Sequence, residues 1–261
     1  MALDVSQIAD LEPAGSVLGI LSDRAVRCGL QIMVVGATAR DILIRHVLGS
    51  PPERATADID IAVAVSSWLD VECLTRNLGK RRGGLHAFSV SGVPVDVIPF
   101  GEIELSDRTI EWPNDHVMNV LGFREALAAA INVRLPGDVM VAVASLPAQS
   151  LLKLFAWRDR HHHDRRDAID LRTILRVYSE GPYVEELYEG HEQLLVEHEF
   201  DVVLAGAARM GREANAILGP SQRSAVTALL SEDVTGLLAA DMGGHISSDL
   251  SLLAVYRNGF G

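Results

Sequence analysis

Two aspartates stand one residue apart in a stretch that otherwise has the composition of a buried strand. The sequence TADIDIAVAV (56–65) places Asp58 and Asp60 among isoleucine, valine and alanine. Side chains alternate between the two faces of a strand, so both carboxylates point to one face and the branched apolar residues to the other. Two carboxylates this close repel each other and are stable together only with a cation or a shared proton. The spacing therefore predicts a functional site.

A third carboxylate lies in the apolar stretch VPVDVIPFG (93–101), where Asp96 stands between two valines. If this strand pairs beside residues 58–65, Asp96 joins the other two aspartates. Three carboxylates on neighbouring strands form a hard-oxygen site suited to Mg²⁺ or Mn²⁺. Metal ions held in this way serve phosphoryl or nucleotidyl transfer, because they stabilise the attacking and leaving oxygens.

A glycine links the first predicted strand of this region to a helix. QIMVV (31–35) reads as a short buried strand, ATARDILIRHVLG (37–49) reads as a helix, and Gly36 lies between them. Backbone N–H groups and the dipole at a helix N-terminus bind phosphate, and a residue without Cβ lets the chain approach it closely. Arg40, one turn into the helix, is placed to add a charge-assisted contact.

The order of these motifs carries a resemblance to a known superfamily. VVGATAR, RATADIDIAV, VDVIPFG and LLKLFAWRDR followed by RRDAIDL resemble the motifs of the DNA polymerase β-like nucleotidyltransferases. Within that superfamily the chain is similar to predicted bacterial nucleotidyltransferases related to the abortive-infection AbiEii toxins, over roughly residues 30–178. The resemblance implies an α/β core, a mixed sheet flanked by helices, and an all-helical C-terminal region. It also implies Mg²⁺ (or Mn²⁺) and a nucleoside triphosphate donor.

The resemblance also implies roles for individual residues. Asp58 and Asp60 would chelate the metals that bridge the triphosphate. Asp96 would bind the second metal and act as general base toward the acceptor hydroxyl. The backbone at Gly36 and Ala37 would approach the phosphates, with Ala37 standing where the superfamily usually has glycine or serine.

Further candidates lie outside the strands and keep two interpretations each. Lys153 would contact the triphosphate by the same resemblance, and it shares a helix face with Trp157 and Arg160. Trp157 either stacks on a base or packs in the core. Arg54, four residues before the first aspartate, either reaches the triphosphate or acceptor or pairs with a nearby acid. Asp167 and Asp170 either touch the site or form ion pairs within their helix.

The chain divides by pattern near residue 145. Residues 1–145 contain strand and helix signals and form a predicted catalytic α/β domain, in which residues 119–132 read as a helix and 138–144 as a strand. Residues 146–261 read as helix after helix and form a predicted helical domain that contributes Lys153 to the site. Ser145 and Pro147 mark its beginning.

Composition sets further limits on function. The net charge of −12 argues against a surface that coats nucleic acid, although residues 153–176 carry seven Lys or Arg against four acids. No apolar run is long enough for a membrane span, and no basic stretch typical of a signal peptide opens the chain. Cys28 and Cys73, which lack CxxC spacing, are predicted to be reduced thiols, with no disulfide, in a cytoplasmic protein.

These observations predict an enzyme that moves a nucleoside monophosphate from a triphosphate onto a hydroxyl and releases pyrophosphate. The acceptor is left open between an RNA 3′ end such as that of tRNA, a small molecule and a protein. The AbiEii-like pattern suggests a toxin with an antitoxin protein as partner. A catalytically inactive nucleotide-binding or interaction protein is the alternative. A metal-dependent phosphohydrolase is a third interpretation, weakened because no His–Asp pair or HxH pattern accompanies the DxD of Asp58 and Asp60.

Overall fold

The computed structural model describes residues 2–48, 58–82, 84–113 and 116–261, with only the backbone of residues 45–48. The chain forms two compact units. The first comprises Met1–His46 and Pro51–Ser145, and the second comprises Val47–Ser50 and Leu146–Gly261. Within the described residues, no helix combines the length and the apolar character that crossing a bilayer requires.

The first unit is built on a mixed β-sheet. Among the described residues its strands are β1 (Leu3–Asp4), β2 (Gln31–Val35), β3 (Ile59–Val65), β4 (Gly79–Lys80), β5 (Ala87–Val90), β6 (Val93–Gly101), β9 (Ile131–Leu135) and β10 (Val139–Val143). They are arranged in the order β1-β9-β10-β2-β3-β6-β5-β4. A separate hairpin pairs β7 (Thr109–Glu111) with β8 (Val117–Asn119).

The middle of the sheet follows the predicted alternation. In β3 the side chains of Ile59, Ile61, Val63 and Val65 are buried, whereas Asp60 is partly exposed. β3 pairs antiparallel with β2 and parallel with β6. The β5–β6 hairpin turns at Ser91 and Gly92, both of which have positive φ angles, as the Ser-Gly signal predicts.

Helices flank this sheet. In the first unit they are α1 (Glu12–Cys28), α2 (Gly36–Leu48), α3 (Trp68–Thr75) and α4 (Phe123–Ala128), preceded by a 3-10 turn at Ala9–Leu11. α1 buries Val17, Leu18 and Leu21 along one face. α3 begins after Ser67, where the Asp70 carboxylate accepts hydrogen bonds from the N–H groups of Ser66 and Ser67 at 2.8 and 3.0 Å and so caps the start of the helix.

The prediction of one helix over residues 119–132 is wrong. α4 covers only Phe123–Ala128, β8 ends at Asn119, and β9 begins at Ile131. The Ala-rich composition favours a helix, but Gly122 adopts a left-handed conformation at the start of α4 with φ 95°. The residues after Ala130 pair instead with β10, because tertiary pairing of Val133 and Leu135 overrides local propensity.

The prediction of two reduced thiols is also wrong. Cys28, the last residue of α1, forms a disulfide with Cys73 in the last turn of α3. The two cysteines are 45 residues apart in sequence, yet their Cα atoms are 6.1 Å apart, within the range that a disulfide spans. The packing of two helix ends against each other brings the thiols together, and cysteine spacing alone does not reveal such a contact.

The second unit is all-helical in its described residues. Its helices are α5 (Leu146–Arg160), α6 (Arg166–Val177), α7 (Gly181–Gly190), α8 (Glu192–Glu197), α9 (Val202–Ile217), α10 (Pro220–Leu229), α11 (Glu232–Asp241) and α12 (Ile246–Asn258). The core includes the buried side chains of Trp157 and Tyr256. The predicted fold class, a mixed α/β sheet with flanking helices followed by an all-helical region, is confirmed.

Candidate active site

Two of the predicted carboxylates stand side by side on neighbouring strands. β3 and β6 are parallel, and their register places Asp60 opposite Asp96. The pairing of residues 93–101 beside residues 58–65, which Asp96 needs to approach Asp60, is therefore present. Both residues are only partly exposed, so their charges lie where water screens them less than at an open surface.

Asp58 precedes β3 and is held from the neighbouring helix. The hydroxyl of Thr38, which is 7 % exposed, donates to the Asp58 carbonyl oxygen at 3.2 Å. Burial raises the pKa of Asp96 above its ordinary value; His86 and Arg81 lower that pKa, and the Asp58 carboxylate raises it. The Asp58 and Asp96 carboxylates thus repel each other, as two acids of one site do.

Gly36 packs directly against the Asp60 carboxylate. Val35, at the end of β2, pairs with Asp60, and Gly36 follows with a φ of +64°. A Cβ atom built on Gly36 would lie 2.2 Å from Asp60 Oδ2 and 2.9 Å from Asp60 Cγ. Both the backbone conformation and the contact therefore require glycine here. The turn from β2 into α2 is therefore packed directly against Asp60 of β3.

A histidine that the sequence analysis did not single out lies beside Asp96. His86 Nε2 is 4.0 Å from Asp96 Oδ2, and the two side chains are 27 % and 23 % exposed. β5 pairs antiparallel with β6, and the Val97 N–H donates to the His86 carbonyl oxygen at 2.9 Å. The hairpin signal after β5 was available in the sequence, and following its register would have placed His86 near the third aspartate.

The remaining phosphate-binding candidates of the first unit have different surroundings. Ala37 lies in the first turn of α2 and is partly exposed. Arg40 Nη2 contacts Asp41 Oδ1 at 2.7 Å, and the Arg40 side chain is 13 % exposed. Arg54 lies outside the described residues. Contact of any of these residues with a nucleotide stays a prediction.

Lys153 belongs to the second unit, where it joins α5 to α6. Its Nζ lies 3.1 Å from Asp167 Oδ1 and 2.6 Å from Asp170 Oδ2. Arg160 Nη2 also contacts Asp167 Oδ2, at 2.7 Å. The ion pairs of Asp167 and Asp170 with Lys153 and Arg160 thus connect two helices. The role of Lys153 toward a triphosphate stays a prediction.

Most cations of the basic segment 153–176 are neutralised within the second unit. Besides the contacts of Lys153 and Arg160, the ion pairs are Arg158–Asp159, Arg165–Asp241, Arg166–Asp164 and Arg172–Asp249. The excess of positive charge in this part of the sequence is therefore not an unpaired basic surface. The basic composition of residues 153–176 is therefore weak support for an RNA acceptor.

Trp157 is buried among the helices of its own unit. Its side chain is 2 % exposed, and its Nε1 donates to Asp241 Oδ2 at 3.0 Å. The ring also lies 4.8 Å from the His161 ring, measured between centroids. Both the buried position and the satisfied indole N–H are typical of a core tryptophan.

The aspartates on β3 and β6 supply carboxylate oxygens, the type of ligand that Mg²⁺ prefers. The described residues contain no group of three His, Cys, Asp or Glu side chains disposed to hold a metal. Mg²⁺ in phosphoryl-transfer sites is commonly held by one or two carboxylates, with substrate phosphates and water supplying the other ligands. Asp60 and Asp96, which stand opposite each other in the β3–β6 register, supply carboxylates of this kind. The binding of one metal site by Asp58, Asp60 and Asp96 together stays a prediction.

Comparison with known proteins adds structural likenesses at low identity. No protein-family model matches the chain, and no curated protein sequence matches it. The solution structure of antibiotic-resistance factor ANT(2'')-Ia aligns with a TM-score of 0.42 and 14 % identity, covering 72 % of this chain and 97 % of that chain. ANT(2")-Ia in complex with adenylyl-2"-tobramycin gives a TM-score of 0.39 at 12 % identity, covering 76 % and 98 %.

A third solved structure is the Thermotoga maritima CCA-adding enzyme complexed with tRNA. It gives a TM-score of 0.26 at 15 % identity, covering 94 % of this chain and 80 % of that chain. Likenesses at these TM-scores and identities establish neither a family nor an activity for this chain.

Proposed function

We propose that this protein is a metal-dependent nucleotidyltransferase of the polymerase β-like kind. The observation that carries the proposal is the register of β3 and β6, which sets Asp60 opposite Asp96, with Gly36 packed on the Asp60 carboxylate. Paired carboxylates beside a glycine turn and a helix start are what a site for a metal, phosphates and an acceptor hydroxyl needs.

In this proposal Asp58, Asp60 and Asp96 hold Mg²⁺ or Mn²⁺ together with the triphosphate. The bound metal would supply neutralisation of charge on the phosphate oxygens. Asp96 accepts the proton of the acceptor hydroxyl, because burial raises the pKa of its carboxyl. The acceptor oxygen then bonds to the α-phosphorus, and the bond to pyrophosphate breaks. The positive backbone environment at Gly36 and Ala37 orients the phosphates.

The finer assignments rest on the sequence resemblance. They are a triphosphate contact from Lys153, an AbiEii-like toxin role and an antitoxin partner. The acceptor is a hydroxyl of an RNA 3′ end, a small molecule or a protein. Since most cations of residues 153–176 already have acidic partners in the second unit, the acceptor classes have to be compared directly.

The test is transfer of label from each α-³²P nucleoside triphosphate with Mg²⁺, in parallel with bacterial RNA, aminoglycosides and bacterial protein as acceptors. Wild type is compared with Asp60→Asn and with Asp138→Asn, whose side chain is 80 % exposed. We expect labelled acceptor and pyrophosphate with wild type and Asp138→Asn, and neither with Asp60→Asn. Triphosphate binding without transfer to any acceptor would instead identify a catalytically inactive nucleotide-binding protein.

One observation favours a second candidate. His86 lies beside Asp96, and imidazole and carboxylate groups both bind metals that catalyse phosphate hydrolysis. The same reactions without acceptor distinguish the two candidates. Release of inorganic phosphate or free nucleoside monophosphate, lost in Asp60→Asn, would identify hydrolysis, whereas nucleotidyl transfer leaves the label on the acceptor.

A further inference from the structure

The disulfide of the first unit forms part of the wall of an open cleft. The cleft has a volume of about 590 Å³ and lies at the C-terminal ends of α1 and α3. Cys28 and Cys73 both line it, and neither cysteine is fully buried. A small molecule that enters this space therefore lies beside the disulfide.

The cleft is cationic in a protein whose net charge is −12. Arg24, Arg27 and Arg76 line it, against one acid, Asp23. Arg27 and Arg76 are exposed, and in the described part of the chain no side-chain ion pair or hydrogen bond occupies them. The local field therefore attracts anions.

We propose that this cleft is a thiol–disulfide exchange site for small anionic thiols, those that carry a carboxylate or sulfonate group. The arginines attract the anionic group and stabilise both the attacking and the departing thiolate. The site is independent of the nucleotidyl transfer proposed above, and it makes the covalent link between α1 and α3 reversible.

The exchange takes place in two balanced steps. A small thiolate bonds to one cysteine Sγ, the Cys28–Cys73 bond breaks, and its electron pair leaves with the other Sγ as a thiolate. A second small thiolate then attacks the mixed disulfide and releases the second cysteine. Two small thiols become one small disulfide, the protein disulfide gains two electrons, and the two protons of the small thiols end on the cysteines.

Hydrogen bonds from Arg24 also hold the ends of α1 and α3 together when the disulfide is reduced. Arg24 Nη1 donates to the Leu74 carbonyl oxygen at 3.1 Å and to the Arg76 carbonyl oxygen at 2.7 Å. These carbonyls lie at the end of α3, where helical acceptors lack partners within the helix. Because Arg24 belongs to α1, this contact keeps α1 beside α3 without the covalent bond, and the cysteines stay placed for reoxidation.

The experiment compares two small thiols of opposite charge on the purified, oxidised full-length protein. 2-Mercaptoethanesulfonate is anionic and cysteamine is cationic. Each rate of reduction is divided by the rate at which the same thiol reduces a small neutral disulfide, so that intrinsic reactivity cancels. Samples are quenched in acid, the free thiols are alkylated, and mass spectrometry counts the modified cysteines.

We expect the normalised rate for the anionic thiol to exceed that for the cationic thiol about tenfold or more at low salt, from the attraction of two guanidinium groups several ångströms away. The ratio should fall toward one in 0.5 M salt, as a rough consequence of screening within a few ångströms. Arg27→Glu/Arg76→Glu should invert the preference. The control Arg82→Glu/Arg223→Glu makes the same change in net charge at exposed positions outside the cleft and should preserve it.

Equal normalised rates for the two thiols in wild type at low salt would overturn the proposal without recourse to any variant. So would a preference that survives high salt, or one that both double variants change alike. A purified protein whose two cysteines are free thiols and resist mild oxidation would also overturn it, since no disulfide would then be present for exchange.

Discussion

Replacement of Gly36 by alanine should destabilise the protein in two ways: a backbone cost at positive φ and a steric clash with the Asp60 carboxylate. The φ of +64° at Gly36 costs an alanine about 1–2 kcal/mol, since Cβ approaches the following carbonyl in this region. In addition, the new Cβ would lie 2.2 Å from Asp60 Oδ2, so the carboxylate must move by about 1 Å to reach ordinary contact, and forced repacking of this kind costs about 1–3 kcal/mol. Together the two effects predict a loss of about 2–5 kcal/mol in the free energy of unfolding.

Gly29 provides a matched control in the same unit. Its φ is +69°, and a Cβ built on it meets no atom within 4 Å. Gly29→Ala therefore carries only the backbone cost of about 1–2 kcal/mol. Urea denaturation, followed by tryptophan fluorescence with both midpoint and slope recorded, measures the difference between the two variants.

A double-mutant cycle tests the cause of the difference. In an Asp60→Ala background the two closest contacts of the Gly36→Ala methyl group disappear, and only the contact with Asp60 Cβ at 3.0 Å remains. The cost of Gly36→Ala should then fall toward that of Gly29→Ala. The reasoning is refuted if Gly36→Ala costs no more than Gly29→Ala in wild type, or if its cost is the same with and without the Asp60 carboxylate.

Three further outcomes are expected. Burial raises the pKa of Asp96 above 3.8, so the folded state binds this proton more tightly than the unfolded state. The stability of wild type relative to Asp96→Asn should therefore decrease as pH rises from about 4 through the raised pKa. A difference in unfolding free energy between the two proteins that stays constant from about pH 4 to 8 would contradict this. Lys153→Gln should lower the free energy of unfolding by about 1–3 kcal/mol, since it leaves two carboxylates of α6 without their shared cation. The control Lys80→Gln, at an exposed position, should change it by no more than about 0.5 kcal/mol, and equal urea midpoints for the two variants would argue against the ion pairs of Lys153. Loss of the disulfide, by reduction or in Cys28→Ser/Cys73→Ser, should lower the free energy of unfolding by up to about 4 kcal/mol, the chain-entropy value for a separation of 45 residues. A melting temperature that neither reduction nor substitution changes would mean that the disulfide does not constrain the unfolded chain.

The sequence predicts the centre of the first unit well because local and global demands agree there. The alternation in β3 requires Asp60 to face away from Ile59 and Ile61, and the structure has this pattern. The same is true of the β5–β6 hairpin, where Ser91 and Gly92 supply the positive φ angles of the turn. Such features depend on residues that are neighbours along the chain.

Other features depend on contacts between distant segments and could not be predicted. The disulfide arises where the ends of α1 and α3 meet, and the partners of Lys153 come from the next helix. The strand β9 forms because β10 is available to pair with Ile131–Leu135, although the residues before it favour a helix. The position of His86 could have been obtained from the hairpin register, which the sequence already indicated.

The disulfide also determines how the first unit carries mechanical load. The bond between Cys28 and Cys73 closes a covalent ring that contains β2, α2 and β3, whereas β6 lies outside it. When the chain is pulled from its two ends until the unit unfolds, covalent tension passes through the sulfur atoms, and the segment with Gly36 and Asp60 cannot be extended. The sequence separation of 45 between the cysteines corresponds to about 150–160 Å of extended chain, and this length is released only when the bond is reduced. Asp60 thus lies inside the part of the chain that a pull cannot extend, whereas Asp96 lies outside it.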